Sequence, residues 1–134
     1  MESLNSKLLR NVENIAMVGL SPDESKYSNI VASYLEGKGY NVIPVNPNYD
    51  EIMGKKTYNS LSDISADEQV ELVSIFRPGE EVPELVREAI VLNVTGVWAQ
   101  EGIISEEGKS IAEEKGVIYI MDCCIKKVHE ALFQ

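Results

Sequence analysis

The order of apolar and polar positions along the chain predicts β-strands that alternate with α-helices. Short apolar runs bounded by turn residues are typical of strands buried on both faces of a sheet. Such runs lie at 15–18, 40–46, 70–76, 95–99 and 117–121. Trp98, within the fourth run, is expected to lie in the core, because apolar strands bury their aromatic side chains.

The segments between these runs carry apolar residues at helical spacing, which predicts amphipathic helices. The clearest pattern is the series Val82, Leu85, Val86, Ala89 and Ile90. A second stripe is formed by Ile30, Val31, Tyr34 and Leu35, in a helix that ends at Gly37 or Gly39. Further helices are predicted at 4–12, 105–116 and 125–132, and the segment 54–64 is expected to be irregular.

Alternating strands and helices predict an α/β fold: a Rossmann-like, doubly wound, mainly parallel sheet of about five strands within three α/β/α layers. A chain of 134 residues is the usual size of one domain, here expected to span 1–134. In such sheets a ligand lies outside the carboxyl ends of the strands, where the strand order reverses. The turns expected there are 19–28, 46–48, 76–79 and 100–102.

The turn after the first strand has the composition of an anion-binding corner. Gly19 ends the strand, and Ser21 and Ser28 precede a helical pattern. Free backbone N–H groups and the positive end of a helix dipole would both face a ligand there, which favours a phosphate group. The simpler interpretations are that Gly19 only permits a tight turn and that Ser28 is only an N-cap.

The dinucleotide fingerprint Gly-x-Gly-x-x-Gly is incomplete in this chain. Only its first glycine, Gly19, is present, and the second strand ends in Asn46-Pro47 without the carboxylate that binds ribose hydroxyls. These two departures argue against ordinary NAD binding. They are compatible with a nucleotide-binding loop of another kind.

Composition narrows the ligand classes further. The formal net charge is −10, which argues against nucleic-acid and anionic-membrane partners but leaves room for a small anion bound by local donors. No apolar run approaches the ~18 residues of a membrane span, and no signal peptide is evident, so a cytoplasmic protein is expected. Cys123 and Cys124 are adjacent, which excludes a long-range disulfide framework.

An ordered series of short motifs runs over nearly the whole chain. Its members are Gly19-Leu20-Ser21, Val31-Ala32-Ser33-Tyr34-Leu35, Gly39-Tyr40, Val42-Ile43-Pro44-Val45-Asn46-Pro47, Ile52, Gly54-Lys55-Lys56, Tyr58, Ser60-Leu61, Asp63-Ile64, Phe76-Arg77, Trp98, Gln100, Gly102-Ile103, Met121-Asp122 and Cys124. The series resembles the stand-alone CoA-binding domain proteins, which are similar to the nucleotide-binding domain at the start of the succinyl-CoA synthetase alpha chain. The ligase domain that carries a phosphorylated histidine in that family has no counterpart here.

The resemblance implies a set of coenzyme A contacts. The turn 19–22 would meet the diphosphate, and the turns 46–48 and 76–78 would flank the adenosine. The complete set of candidate binding residues is Gly19, Leu20, Ser21, Pro22, Lys26, Ser28, Asn46, Pro47, Asn48, Phe76, Arg77, Pro78 and Gln100. Asn48 and Cys123 stand where many members carry basic residues, and Lys55 or Lys56 is a candidate replacement.

These observations predict a protein that binds CoA or an acyl-CoA and performs no chemistry of its own. One alternative is a module that senses NAD(H), and another is a thiol-dependent CoA or CoA-disulfide enzyme that uses Cys123 or Cys124, with a pKa lowered by a helix N-terminus.

The simpler interpretation of Arg77 is that it is a surface partner of Glu80 or Glu81. His129 is expected at the surface. The predicted partners are a small nucleotide ligand and a second copy of the chain or another protein.

Overall fold

The structure, a computed structural model, describes residues 3–133. Its α-helices are α1 (Leu4–Asn11), α2 (Tyr27–Gly37), α3 (Val82–Val91), α4 (Glu106–Glu114) and α5 (Ile125–Phe133). Its strands are β1 (Asn14–Val18), β2 (Asn41–Val45), β3 (Glu51–Ile52), β4 (Lys55–Lys56), β5 (Leu72–Ile75), β6 (Gly96–Ala99) and β7 (Ile118–Ile120).

Five strands form one parallel sheet in the order β2-β1-β5-β6-β7. This arrangement confirms the predicted Rossmann-like α/β fold. The chain leaves β1 for β2 on one side and returns to β5 on the other, so the strand order reverses between β1 and β5. At this point Gly19 N–H donates to the Val45 carbonyl at 2.9 Å and Phe76 N–H donates to the Val18 carbonyl at 2.8 Å. The carboxyl ends of three strands therefore meet at one edge.

Both faces of the sheet are buried, as the continuous apolar runs predict. Along β1, Ile15 and Met17 pack on the face covered by α1, α2 and α5, whereas Ala16 and Val18 pack on the face covered by α3 and α4. Trp98 is fully buried, which confirms its predicted place in the core. Each helix layer thus fixes one side of the sheet edge. None of the helices described between residues 3 and 133 is long and apolar enough to cross a membrane.

The segment predicted to be irregular contains part of a small hairpin. β3 and β4 pair antiparallel through Glu51 with Lys56 and Ile52 with Lys55. The two turn residues, Met53 and Gly54, have φ values of 56° and 74°, as in a type I′ hairpin. The Met-Gly pair lacks the Asn-Gly or Asp-Gly signature of such turns, which explains why the sequence pattern did not reveal the hairpin.

Two predicted exposures are wrong. Ile30 is 42% exposed, because α2 packs on the sheet through Val31, Ala32 and Leu35 instead. His129 is only 7% exposed, and its Nδ1 lies 2.7 Å from the hydroxyl of Tyr34. The charged neighbours of His129 along the sequence suggested a surface position, but the helix turns its ring inward against aromatic side chains.

Candidate functional site

A cavity of about 260 Å³ lies where β1 and β2 end and the segment after β5 begins. The predicted binding residues that line it are Gly19, Asn46, Pro47, Asn48 and Arg77. Residues from three separate turns therefore meet at the point where the topology places a ligand.

The cavity also contains residues that the sequence interpretation did not assign to it, namely Asn59, Ser60 and Glu81. Asn59 and Ser60 arrive there because Tyr58 forms an isolated parallel bridge to Val45, beside the end of β2. Tyr58 and Ser60 belong to the motif series, but no sequence rule indicated that this segment lies beside β2.

Gly19 is required by the backbone geometry of the site. Its φ is +88°, a conformation that disfavours every other residue. A Cβ atom at this position would lie 2.6 Å from the Phe76 carbonyl oxygen and 3.0 Å from Cδ of Arg77. Because Gly19 has no side chain, the turn after β5, which contains Arg77, can approach the turn after β1.

The turn from Ser21 to Ser28 is held by its own hydrogen bonds. Ser21 N–H donates to Oγ of Ser28 at 3.0 Å, and the side-chain amide of Asn29 donates to the Ser21 carbonyl at 2.8 Å. The N-cap of α2 is Lys26, so the interpretation of Ser28 as N-cap is wrong. Ser28 lies within the first helical turn, and its hydroxyl fixes the loop instead.

Asn46 connects the turn after β2 to the turn after β1. Its side-chain amide donates to the Leu20 carbonyl at 3.0 Å, and its Oδ1 accepts from Asn48 N–H at 3.0 Å. Leu20 is fully buried and does not itself line the cavity. Asn46 therefore shapes the cavity wall by holding two turns in a fixed relation.

Arg77 forms a two-point ion pair with Glu81. Its Nε donates to Glu81 Oε1 at 3.1 Å and its Nη2 to Glu81 Oε2 at 2.9 Å. Of the two surface partners considered from the sequence, the structure thus selects Glu81. The hydrogen bond that Arg77 donates to Glu81 raises the pKa of Arg77. The pair is 48% and 43% exposed, so a ligand in the cavity can reach it.

The other predicted binding residues do not line the cavity. Phe76 is half-buried, with its ring centroid 6.5 Å from that of Tyr27. Lys26 and Pro78 are exposed at the starts of α2 and of the short 3-10 turn Gly79–Glu81. Pro22 lies in a separate surface depression that also contains Asn29 and Met53.

Neither candidate replacement lysine lies at the cavity. Lys55 Nζ donates to Glu36 Oε2 at 2.7 Å and to the Val42 carbonyl at 2.8 Å, at the amino end of β2. Lys56 stands over the ring of Tyr58, with its Nζ 4.9 Å from the ring centroid. Both lysines line a separate depression along β2, so neither is placed to supply a positive charge at this cavity.

Gln100 lies deeper than a lining residue. It is 2% exposed; its Nε2 donates to Ser74 Oγ at 2.8 Å and its Oε1 accepts from Ile125 N–H at 3.0 Å. The amide thereby joins β5, β6 and the start of α5. Its position suits support of the sheet edge.

The two cysteines lie at the start of α5. Cys124 is 3% exposed and its sulfur contacts the hydroxyl of Tyr27. Burial, followed by the charges of Asp122 and Glu101, raises the pKa of Cys123. The expectation that a helix N-terminus would lower the pKa is wrong for Cys123, because these opposing effects dominate.

Comparison with known proteins assigns the chain to a family. The family model described as "CoA binding domain" matches residues 13–130, and the chain belongs to this family.

Two relatives differ greatly in length. The "Uncharacterized protein YneT" of Bacillus subtilis is 37% identical over 123 residues, which cover 92% of this chain and 90% of that protein. The "Acetate--CoA ligase [ADP-forming]" of Methanocaldococcus jannaschii is 30% identical over 109 residues. That match covers 81% of this chain but only 15% of the ligase.

A solved structure supports the same fold. The chain is similar to a "hypothetical protein from Pyrococcus horikoshii OT3", with a TM-score of 0.91 and 33% sequence identity. The match covers 100% of this chain and 98% of the other. The similarity therefore extends to a protein of comparable length.

Proposed function

We propose that the cavity at the carboxyl ends of β1, β2 and β5 binds coenzyme A or an acyl-CoA. The observation that carries this proposal is the convergence of Gly19, the turn 46–48 and Arg77 on one cavity, in a chain of the CoA binding domain family. The diphosphate would lie at the Gly19 turn and the adenosine between the turns 46–48 and 76–78.

The proposed contacts use backbone groups together with a few cations. The positive end of α2 would attract an anion despite the net charge of −10. The N–H groups of Gly19 and Ser21 already donate within the protein, so they shape the turn and leave the anion to other donors. Arg77 can bind phosphate with two parallel hydrogen bonds, and its planar group can also stack on adenine. Lys26, exposed at the start of α2, adds a second positive charge near the diphosphate.

We propose a binding function for this cavity. The lining residues supply amides, one hydroxyl and an arginine–glutamate pair, and they include neither a histidine nor a cysteine. The amides, the hydroxyl and the guanidinium can hold a phosphorylated ligand by hydrogen bonds and charge.

Replacement of Arg77 tests this assignment. Arg77→Ala should weaken CoA binding about tenfold or more, because a hydrogen bond to a charged group contributes about 1.5–3 kcal/mol. Arg87→Ala is the matched control, since Arg87 is equally exposed but pairs with Glu84 and Glu107 on α3 and α4. Calorimetric titration with CoA should separate the two variants, and equal affinities would contradict the proposed site.

Thermal unfolding with each ligand distinguishes CoA binding from the alternative of NAD(H) binding. If the protein senses NAD(H), NADH should raise its melting temperature and CoA should not. We expect CoA, and not NADH, to raise the melting temperature, because the turn after β1 lacks the second and third fingerprint glycines and β2 ends without a carboxylate.

A further inference from the structure

Among the described residues that line the cavity, Arg77 is the only cation and Glu81 the only anion. The guanidinium and the carboxylate face each other through two hydrogen bonds of 3.1 and 2.9 Å. This two-point geometry is the one in which a guanidinium binds a phosphate group. The Glu81 carboxylate therefore occupies the hydrogen-bond donors of Arg77 that a ligand phosphate would use.

The chain is closely packed beside both members of the pair. The stem of Arg77 lies against Gly19, where a Cβ would be 3.0 Å from its Cδ. Glu81 ends the 3-10 turn Gly79–Glu81, and Gly79 approaches the Ile104 carbonyl so closely that a Cβ would lie 2.4 Å from the oxygen. Because the chain is closely packed at Gly19 and Gly79, we expect the pair to separate by rotation of the two side chains.

We propose that Glu81 sets the affinity of the cavity for phosphorylated ligands by competing for Arg77. The inference rests on the proposed function and adds Glu81 as a residue that weakens ligand binding. A ligand phosphate that approaches the guanidinium must displace the carboxylate and then bind beside its negative charge. A nucleoside without phosphate gains nothing from displacing it, so Glu81 discriminates between ligands by their charge at this point.

The expected effect is moderate, because both side chains are partly exposed. An ion pair at such a surface contributes at most about 1 kcal/mol. Glu81→Gln keeps the size of the side chain and removes its charge, so CoA should bind about two- to fivefold more tightly. Adenosine, which carries no phosphate, should bind both forms with equal affinity.

Glu84→Gln is the matched control. It changes the net charge of the chain by the same amount three residues further along, but Glu84 is exposed, pairs with Arg87 at 3.7 Å and does not line the cavity. Its affinity for CoA should equal that of the unmodified protein. Thermal unfolding of each variant verifies that the fold is retained.

The experiment is titration of the three proteins with CoA by calorimetry and with adenosine by NMR. Tighter CoA binding by Glu81→Gln alone, with adenosine unchanged, supports the inference. If the unmodified protein binds CoA and Glu81→Gln shows no gain, or shows the same gain with adenosine, the inference is wrong and the proposed function stands. If neither protein binds CoA, the proposed function fails and the inference fails with it.

Discussion

Substitution of Gly19 by alanine should affect stability and ligand binding together. The added Cβ would lie 2.6 Å from the Phe76 carbonyl oxygen and would be attached to a backbone with φ +88°. The backbone conformation alone costs about 1–2 kcal/mol for an L-residue. Overpacking against a fixed carbonyl adds about 1–3 kcal/mol. We therefore expect Gly19→Ala to lower the free energy of unfolding by about 2–5 kcal/mol.

Gly39→Ala separates backbone strain from the close contact. Gly39 has φ +98°, but a Cβ there would meet no atom within 4 Å. Its substitution should cost only the conformational part, about 1–2 kcal/mol, and should leave CoA affinity unchanged. Gly19→Ala should additionally lose CoA binding, because relief of the contact moves the β5 turn and Arg77 away from β1.

Urea unfolding and calorimetric titration with CoA measure the two effects. The reasoning is refuted if Gly19→Ala is as stable as Gly39→Ala and binds CoA with the affinity of the unmodified protein. Such a result would mean that the turns after β1 and β5 adapt independently of each other.

Three further outcomes are expected. Gln100→Leu should lower the free energy of unfolding by about 2–3 kcal/mol in urea titrations, since it leaves two buried partners unpaired; an unchanged midpoint would contradict the bridging role. Lys26→Ala should weaken CoA binding about tenfold in calorimetry, whereas the remote Lys7→Ala should not. Burial lowers the pKa of His129 below 6.5, so its neutral form stabilises the fold above that pH and the contribution is lost on acidification. When the pH is lowered from about 7.5 to 5.5, the free energy of unfolding measured with urea should fall more for the unmodified protein than for His129→Gln. Equal decreases in the two proteins would refute this.

The strand ends could be predicted from the sequence because each leaves a local signal. Gly19, Asn46-Pro47 and Arg77-Pro78 each interrupt an apolar run. The topology rule then places them at one edge without any knowledge of side-chain contacts. The fold and the position of the cavity therefore follow from periodicity and turn residues alone.

The roles of individual side chains depend on contacts that periodicity does not encode. Lys55 is near Gly54 and the second strand in sequence, yet the hairpin directs it to the opposite end of β2. Glu81 and its neighbour Glu80 look equivalent in the sequence, and only the 3-10 turn selects Glu81 as the partner of Arg77. His129 has charged sequence neighbours, but its side of α5 faces Tyr34 of α2 and Tyr40.

The most direct test of the account is an NMR titration of isotope-labelled protein with CoA up to about 1 mM, a concentration that detects binding of about 4 kcal/mol. The account predicts that the largest amide shifts occur at Gly19–Ser21, at Asn48 and at Arg77. Absence of any shift would contradict it. So would shifts confined to the distant depression lined by Arg10, Lys38 and Phe133.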